Sequence, residues 1–183
     1  MAKKAKDNNG APAQKIIGLD GAGDGAAAGQ QADPSMHVLA QYVKDLSFEN
    51  PNAPSSLMMS EQPEINVQVN VNGRKQDGED DVFEVVLETD ITAKLKDVTV
   101  FAVELVYGGM FQIQNMPEDM LQPVVMIECP RILFPFARQV LADAIRDGGF
   151  PPLMLDPIDF AALYRHRMEQ VQAEKAETGG LDA

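Results

Sequence analysis

Four stretches of the chain alternate apolar and polar residues with a period of two, the spacing of half-buried β-strands, and later stretches repeat at the longer period of helices. From His37, Tyr42, Lys44, Leu46 and Phe48 share one side while Val43, Asp45, Ser47 and Glu49 share the other, which is therefore predicted acidic and exposed. Residues 64–72 alternate most cleanly, with Ile65, Val67, Val69 and Val71 set against Asn66, Gln68, Asn70 and Asn72. A polar turn from Asn72-Gly73 through Arg74, Lys75, Asp77, Gly78 and Asp80 separates them from a third strand over 82–95. That strand is expected to bury Phe83, Val85, Leu87, Ile91 and Ala93 and to turn Glu84, Glu88, Asp90 and Lys94 outward. Lys96-Asp97 is short enough for a hairpin into a fourth strand over 98–114, whose odd positions Phe101, Val103, Leu105, Tyr107, Phe111 and Ile113 form an apolar row. Gly108-Gly109 interrupts the row and predicts a bulge, a bend or a close backbone approach.

Helical spacing follows. Asn115 is predicted to cap a short helix opened by Pro117, Glu118 and Asp119 and limited by Pro123. A second helix, starting near Pro130 within C-P-R-I-L-F-P-F-A-R (129–138), places Leu133, Ala137, Val140, Leu141 and Ala144 on one side and stops at Gly148-Gly149. Pro135 inside it removes a donor and predicts a late or kinked start. A third helix is capped by Asp156 and carries Phe160, Leu163, Tyr164, Met168 and Val171 on one stripe. Strands first and helices last define an α+β domain: a four-stranded antiparallel sheet with the C-terminal helices packed on one face.

Two connections do not read as ordinary loops. Residues 50–63 hold Pro51, Pro54 and Pro63 with Leu57, Met58 and Met59 between them, and residues 150–156 read F-P-P-L-M-L-D. Both are proline-stiffened and too apolar for purely solvated loops. These side chains either pack on their own domain or meet an irregular apolar ligand. The ends differ from the middle: 1–36, with G-A-G-D-G-A-A-A-G at 21–29, is expected to be a disordered extension, 37–172 the folded domain, and 173–183 a flexible tail. The glycines at 21–29 lack the preceding strand and the Lys-Ser/Thr of a phosphate loop.

Charge narrows the function. Lys+Arg 15 against Asp+Glu 28 gives a formal net charge of −13, which disfavours nucleic acid and anionic membrane and favours a basic partner. Lys3, Lys4 and Lys6 are followed by no apolar h-region, no membrane-spanning run is read, and Cys129 is the only cysteine, so a cytoplasmic, reduced protein without stable membrane insertion is expected. His37, His166 and Cys129 form no catalytic or metal-binding set, and Asp80-Asp81 belongs to a solvated turn, so no enzyme and no cofactor are expected. The rival reading is an enzyme using Cys129. Glu104 on the fourth strand is either a solvated position or a point of polar recognition.

Over about 42–164 the chain resembles the SecB family of bacterial protein-export chaperones. The resemblance is carried by K-D-L-S-F-E-N-P-N-A-P (44–54), Q-P-E (62–64), F-E-V-V-L (83–87), Y-G-G-M-F (107–111), C-P-R-I-L-F-P-F-A-R, and G-F-P-P-L-M-L-D-P-I-D-F (149–160) in this order. It implies a homotetramer, a dimer of dimers, that keeps unfolded precursor polypeptides translocation-competent without ATP and passes them to the SecA motor. It implies a substrate groove of Leu57, Met58, Met59, Phe150, Leu153, Met154 and Leu155, and SecA-binding positions Asp45, Glu49, Ala102 and Glu104, with Ala102 where the family often has Leu. A further SecA contact falls on 164–183, and subunit contacts fall on Phe101, Val103, Leu105 and Tyr107. Glu61 stands where some members have a tryptophan, which leaves the aromatic character of the groove open. SecB-like chaperones that guard an antitoxin are the alternative within the same fold.

Overall fold

The computed structural model of the protein describes residues 33–78 and 81–178. The stretch 21–29, most of the expected extension, Asp80 of the turn and residues 179–183 lie outside the described residues. Strands β1 (Ser35–Glu49), β2 (Glu64–Lys75), β3 (Val82–Leu95) and β4 (Val98–Gln114) form one antiparallel sheet in the order β1-β4-β3-β2. Helices α1 (Glu118–Pro123), α2 (Cys129–Asp147) and α3 (Phe160–Thr178) follow, with a π-helical turn at Val124–Glu128 and a 3-10 turn at Ser55–Met58. Pairing of β1 begins at Ser35, two residues ahead of the predicted start, and α3 runs on to Thr178.

The odd residues of β3 and β4 face the helices and make the core: Val85, Leu87, Ala93, Val103 and Phe111 are fully buried, as are Leu133 and Ile145 of α2. Each such large aliphatic side chain contributes about 1.5–3 kcal/mol relative to exposure. Gly108-Gly109 serves a close approach on both faces. A Cβ on Gly109 would lie 2.7 Å from Leu133 of α2, and one on Gly108 would lie 2.7 Å from the Tyr42 ring, which crosses β4 on the side away from the helices.

The first strand departs from the predicted pattern. Two register shifts, between Val38 and Ala40 and between Val43 and Asp45, each insert one extra residue. Tyr42 therefore lies opposite Gly108 on the open face of the sheet, while Phe48, of the same parity, packs on Phe101 at the helix side. The exposed acidic side survives only from Asp45 onward, as Asp45, Ser47 and Glu49.

The helices also differ. Asn115 takes a left-handed φ of 56°, and Pro117, without a side-chain bond, stands at the start of α1 in its place. Instead of ending near Pro123 and restarting at Pro130, the chain stays helical from Glu118 to Asp147. The wide turn resolves the prolines: the Cys129 N–H bonds the Val124 carbonyl, five residues back, just before Pro130, which has no N–H to give. This 30-residue run contains an 18-residue window that, at a mean hydropathy of 1.2, is long and apolar enough to cross a membrane, contrary to the expectation of no such run. Its inward residues Val125, Cys129, Leu133, Ala137, Leu141 and Ile145 are buried against the sheet, as in the core helix of a globular domain.

Candidate functional site

Beside the end of α2, the loop 50–63 and the loop 148–157 face one another across a cleft of ≈ 480 Å³. Leu57, Met59, Phe150 and Leu153, four of the seven residues expected at a substrate groove, line it. Met58 is 85% exposed at its rim, Met154 is also exposed, and Leu155 packs partly into the core, so these three do not form its walls. The floor holds residues that sequence reasoning missed: Ile65, Val100 and Phe101. Phe101 meets Phe150 at 4.8 Å between ring centroids and Phe48 at 5.9 Å, so this end is aromatic without a tryptophan. Gly148 makes room for the Phe48 ring, and Gly149, at φ 92°, turns the chain beside Leu57.

Polar contacts hold the loops in place without filling the cleft. Asn52 donates from Nδ2 to the Thr99 carbonyl at 2.9 Å, and Ser56 Oγ, in a buried residue, donates to Asn50 Oδ1 at 2.6 Å. On the other wall, Arg138 Nη1 donates to the Leu155 carbonyl at 3.3 Å and stacks over Phe134. The proline-rich corner 129–138 thus braces the second loop, with Phe134 buried and Phe136 52% exposed.

The row expected at a subunit contact has another role. Phe101, Val103, Leu105 and Tyr107 are 4%, 0%, 1% and 8% exposed within the single chain, because their face of β4 lies in the core beneath the helices. They have no surface left for a partner. Four of the apolar side chains that do reach the surface are on β1: Val38, Leu39, Val43 and Leu46.

Among the described residues no helix covers the opposite face of the sheet, and that face is acidic. Asp45 pairs with Val106, Ser47 with Glu104 and Glu49 with Ala102, so Asp45, Glu49, Ala102 and Glu104 are neighbours on one surface. Asp90 of β3 pairs with Glu104 and joins them, although its contribution was visible in the sequence only as an outward position. Asp45, Glu49, Asp90 and Glu104 make no ion pair among the described residues.

Two cations next to this surface, Lys44 and Arg74, are occupied elsewhere. Glu84, expected to be outward and solvated, is 5% exposed. It accepts from Tyr42 Oη at 2.5 Å, Lys44 Nζ at 2.9 Å and Arg74 Nε at 2.6 Å, contacts that bring together β1, β2 and β3. These bonds, Tyr42's first, outweigh burial and hold the Glu84 carboxyl at about 2, well below the usual 4.5. Burial, reinforced by Glu84, pushes the Tyr42 phenol up to about 12.

Cys129 is fully buried, with Sγ 3.7 Å from Met36 Sδ. Burial, with the Glu128 charge adding to it, pushes the thiol up to about 12, the opposite of what an attacking thiolate needs. His37 and His166 are exposed and lie on β1 and α3. Among the described residues no group of His, Cys, Asp and Glu is arranged to hold a metal.

A one-sided α+β sheet, with an apolar aromatic cleft between two proline-rich loops and a bare carboxylate face behind it, is the frame of a polypeptide-binding chaperone. The family model described as preprotein translocase subunit SecB matches residues 29–171, and the chain belongs to the SecB family of protein-export chaperones. A protein-export protein SecB of Xanthobacter autotrophicus is 60% identical over 142 residues, 77% of this chain and 90% of the relative. That of Azorhizobium caulinodans is 56% identical over 149 residues, 80% and 91% of the two chains. The fold is shared with a solved SecB-like chaperone of Mycobacterium tuberculosis in complex with a ChAD peptide from the HigA1 antitoxin, with a TM-score of 0.55 at 13% identity over 67% of this chain and 87% of the other.

Proposed function

We propose that the cleft holds apolar segments of unfolded precursor polypeptides, and that the acidic face docks a basic segment of the SecA motor, to which the client is handed. The observation that carries this reading is the aromatic cleft of ≈ 480 Å³, whose walls are loops and whose contacts to a ligand would be apolar and non-directional. Such a site suits many sequences, and several weak sites on one client add avidity. No step of holding and release calls for ATP, a cofactor or an enzymatic reaction, and the work is that of a cytoplasmic protein.

Docking of a basic segment draws support from Asp90 and Glu104, like charges directly opposite one another with no cation between them. Cross-strand like charges destabilise a sheet unless something relieves them, and a basic partner does so. Assembly with further copies, as a dimer of dimers, is supported by the exposed Val38, Leu39, Val43 and Leu46 on the edge strand β1. The folded body, from Ser35 of β1 to Thr178 of α3 rather than 37–172, would then carry both sites.

The deciding experiment is to capture the protein with its clients from growing cells and read whether they carry signal peptides. Enrichment of such precursors, lost in a Leu57→Ser, Met58→Ser variant, is the expected result. A single dedicated client such as an antitoxin would replace the export role while keeping the cleft.

A further inference from the structure

β2 is an edge of the sheet, and its backbone shows which of its groups face away from β3. In an antiparallel pair, residues that exchange hydrogen bonds with the neighbour alternate with residues whose N–H and C=O both point outward. The Gln76 N–H donates to the Val82 carbonyl at 2.8 Å, extending the register that sets Val71 opposite Leu87. Even residues of β2 therefore bond β3, and odd residues face out. A second contact agrees: Arg167 of α3 donates from Nη1 to the carbonyl of Val71, an odd residue, at 2.6 Å. Ile65, Val67 and Val69 lie on the same outward line, and no hydrogen bond reaches them from α3 or the loops among the described residues.

Exposure grades along this line. Ile65 and Val67 are 37% and 38% exposed, Val69 is half-buried, and Val71 is 3% exposed where α3 crosses the edge over a cavity of ≈ 340 Å³. Ile65 also lines the cleft, so the open edge continues directly from it.

We propose that Arg167 is a stop on this edge. Resting on the polypeptide-binding reading above, an extended client segment leaving the cleft past Ile65 adds to β2 as a further strand, pairs its backbone with Ile65, Val67 and Val69, and ends there. The next pair would need the Val71 carbonyl, which the Arg167 guanidinium already holds. Backbone pairing is blind to side-chain identity, so the stop sets the length and register of the bound segment without restricting its sequence. Arg167 is thus a positioning residue that acts through the strand end rather than through the client's side chains.

Residue-resolved hydrogen exchange of the full chain, with and without an unstructured peptide carrying two Leu/Phe clusters, tests the assignment. The peptide is expected to slow the Val67 and Val69 amides by at least about tenfold and to leave Val71 within about twofold. In Arg167→Ala, Val71 joins the protected set; in Arg167→Lys, which keeps a donor for the carbonyl, it does not. Unchanged protection of β3 and β4 in both variants shows that they are folded. Peptide-dependent protection of Val71 in the unsubstituted chain, or no gain there in Arg167→Ala, overturns the stop. Peptide binding without protection at Val67 and Val69 overturns it while leaving the cleft as the binding site, and absence of any peptide binding removes both. Protection that follows protein concentration rather than peptide assigns the edge to a second copy and also overturns it.

Discussion

The cleft and the acidic face lie on opposite sides of one sheet and are made in opposite ways. The cleft forms where the chain is least regular, with proline-rich loops on either side and three phenylalanines from β1, β4 and the second loop below. What it offers a ligand is apolar mass, which tolerates shifts in its walls. The acidic face forms where the chain is most regular, and the spacing of Asp45, Glu49, Asp90 and Glu104 is fixed by strand register. An adaptable surface suits variable clients, and a ruled one suits a single partner. If the two surfaces are independent, substitutions should separate client binding from docking.

The largest expected effect comes from the joint between them. In Gly148→Val the new side chain meets the Phe48 ring, which is packed against Phe101 and Phe150 and cannot swing away without breaking the aromatic floor. A loss of about 3 kcal/mol by denaturant unfolding is expected, with client affinity falling alongside it. Stability near that of the unsubstituted chain would mean that the floor is softer than its packing implies. Next comes Leu57→Ser with Met58→Ser, which changes exposed apolar area and leaves the core untouched. Client affinity in a competition titration should fall by about tenfold or more, roughly the value of two partly buried aliphatic side chains, while docking of a basic peptide is unchanged.

Much of this was legible in the sequence, and the gaps have physical causes. The alternation of β2, β3 and β4 was clear because helices cover only one face of those strands. On β1 the reading failed because Tyr42 and Phe48 have the same parity yet lie on opposite faces, and only pairing with β4 reveals the inserted Lys44. The proline-rich loops announced the cleft, but Val100 and Phe101 reach it through packing between elements far apart in sequence. The row Phe101 to Tyr107 was rightly apolar; which apolar surface it would meet is a tertiary matter, and within this chain it is the helix layer. Glu84 looked like any outward carboxylate because its donors lie 42, 40 and 10 residues away.

The docking side gives a smaller effect. Asp45→Ala with Glu104→Ala removes two exposed carboxylates that carry no internal ion pair, so stability should change little. Affinity for a basic segment should fall about fivefold to tenfold at low salt and converge with the unsubstituted chain as salt rises, whereas client affinity stays within about twofold. Equal loss of both activities would show that the two faces act as one site.

The smallest effect concerns the cations beside that surface. Lys44 and Arg74 are held on Glu84 and not on Asp45, Glu88 or Glu104, so neither cation pairs with those carboxylates. Glu84→Gln should cost about 1 kcal/mol at pH 7, since Lys44 and Arg74 are themselves largely exposed and find water when released. Its folded carboxyl lies at about 2 against the usual 4.5, so the carboxylate's contribution is complete above about 4.5 and is lost as pH falls toward 2. The difference between variant and unsubstituted chain in urea unfolding should therefore shrink across that window. If the freed Lys44 and Arg74 then neutralise their acidic neighbours, Glu84→Gln will also weaken docking of a basic peptide, and Lys44→Met in the same chain will restore it. A further loss in the double variant would instead tie Glu84 to the shape of the sheet, and the charge of the docking face would owe nothing to it.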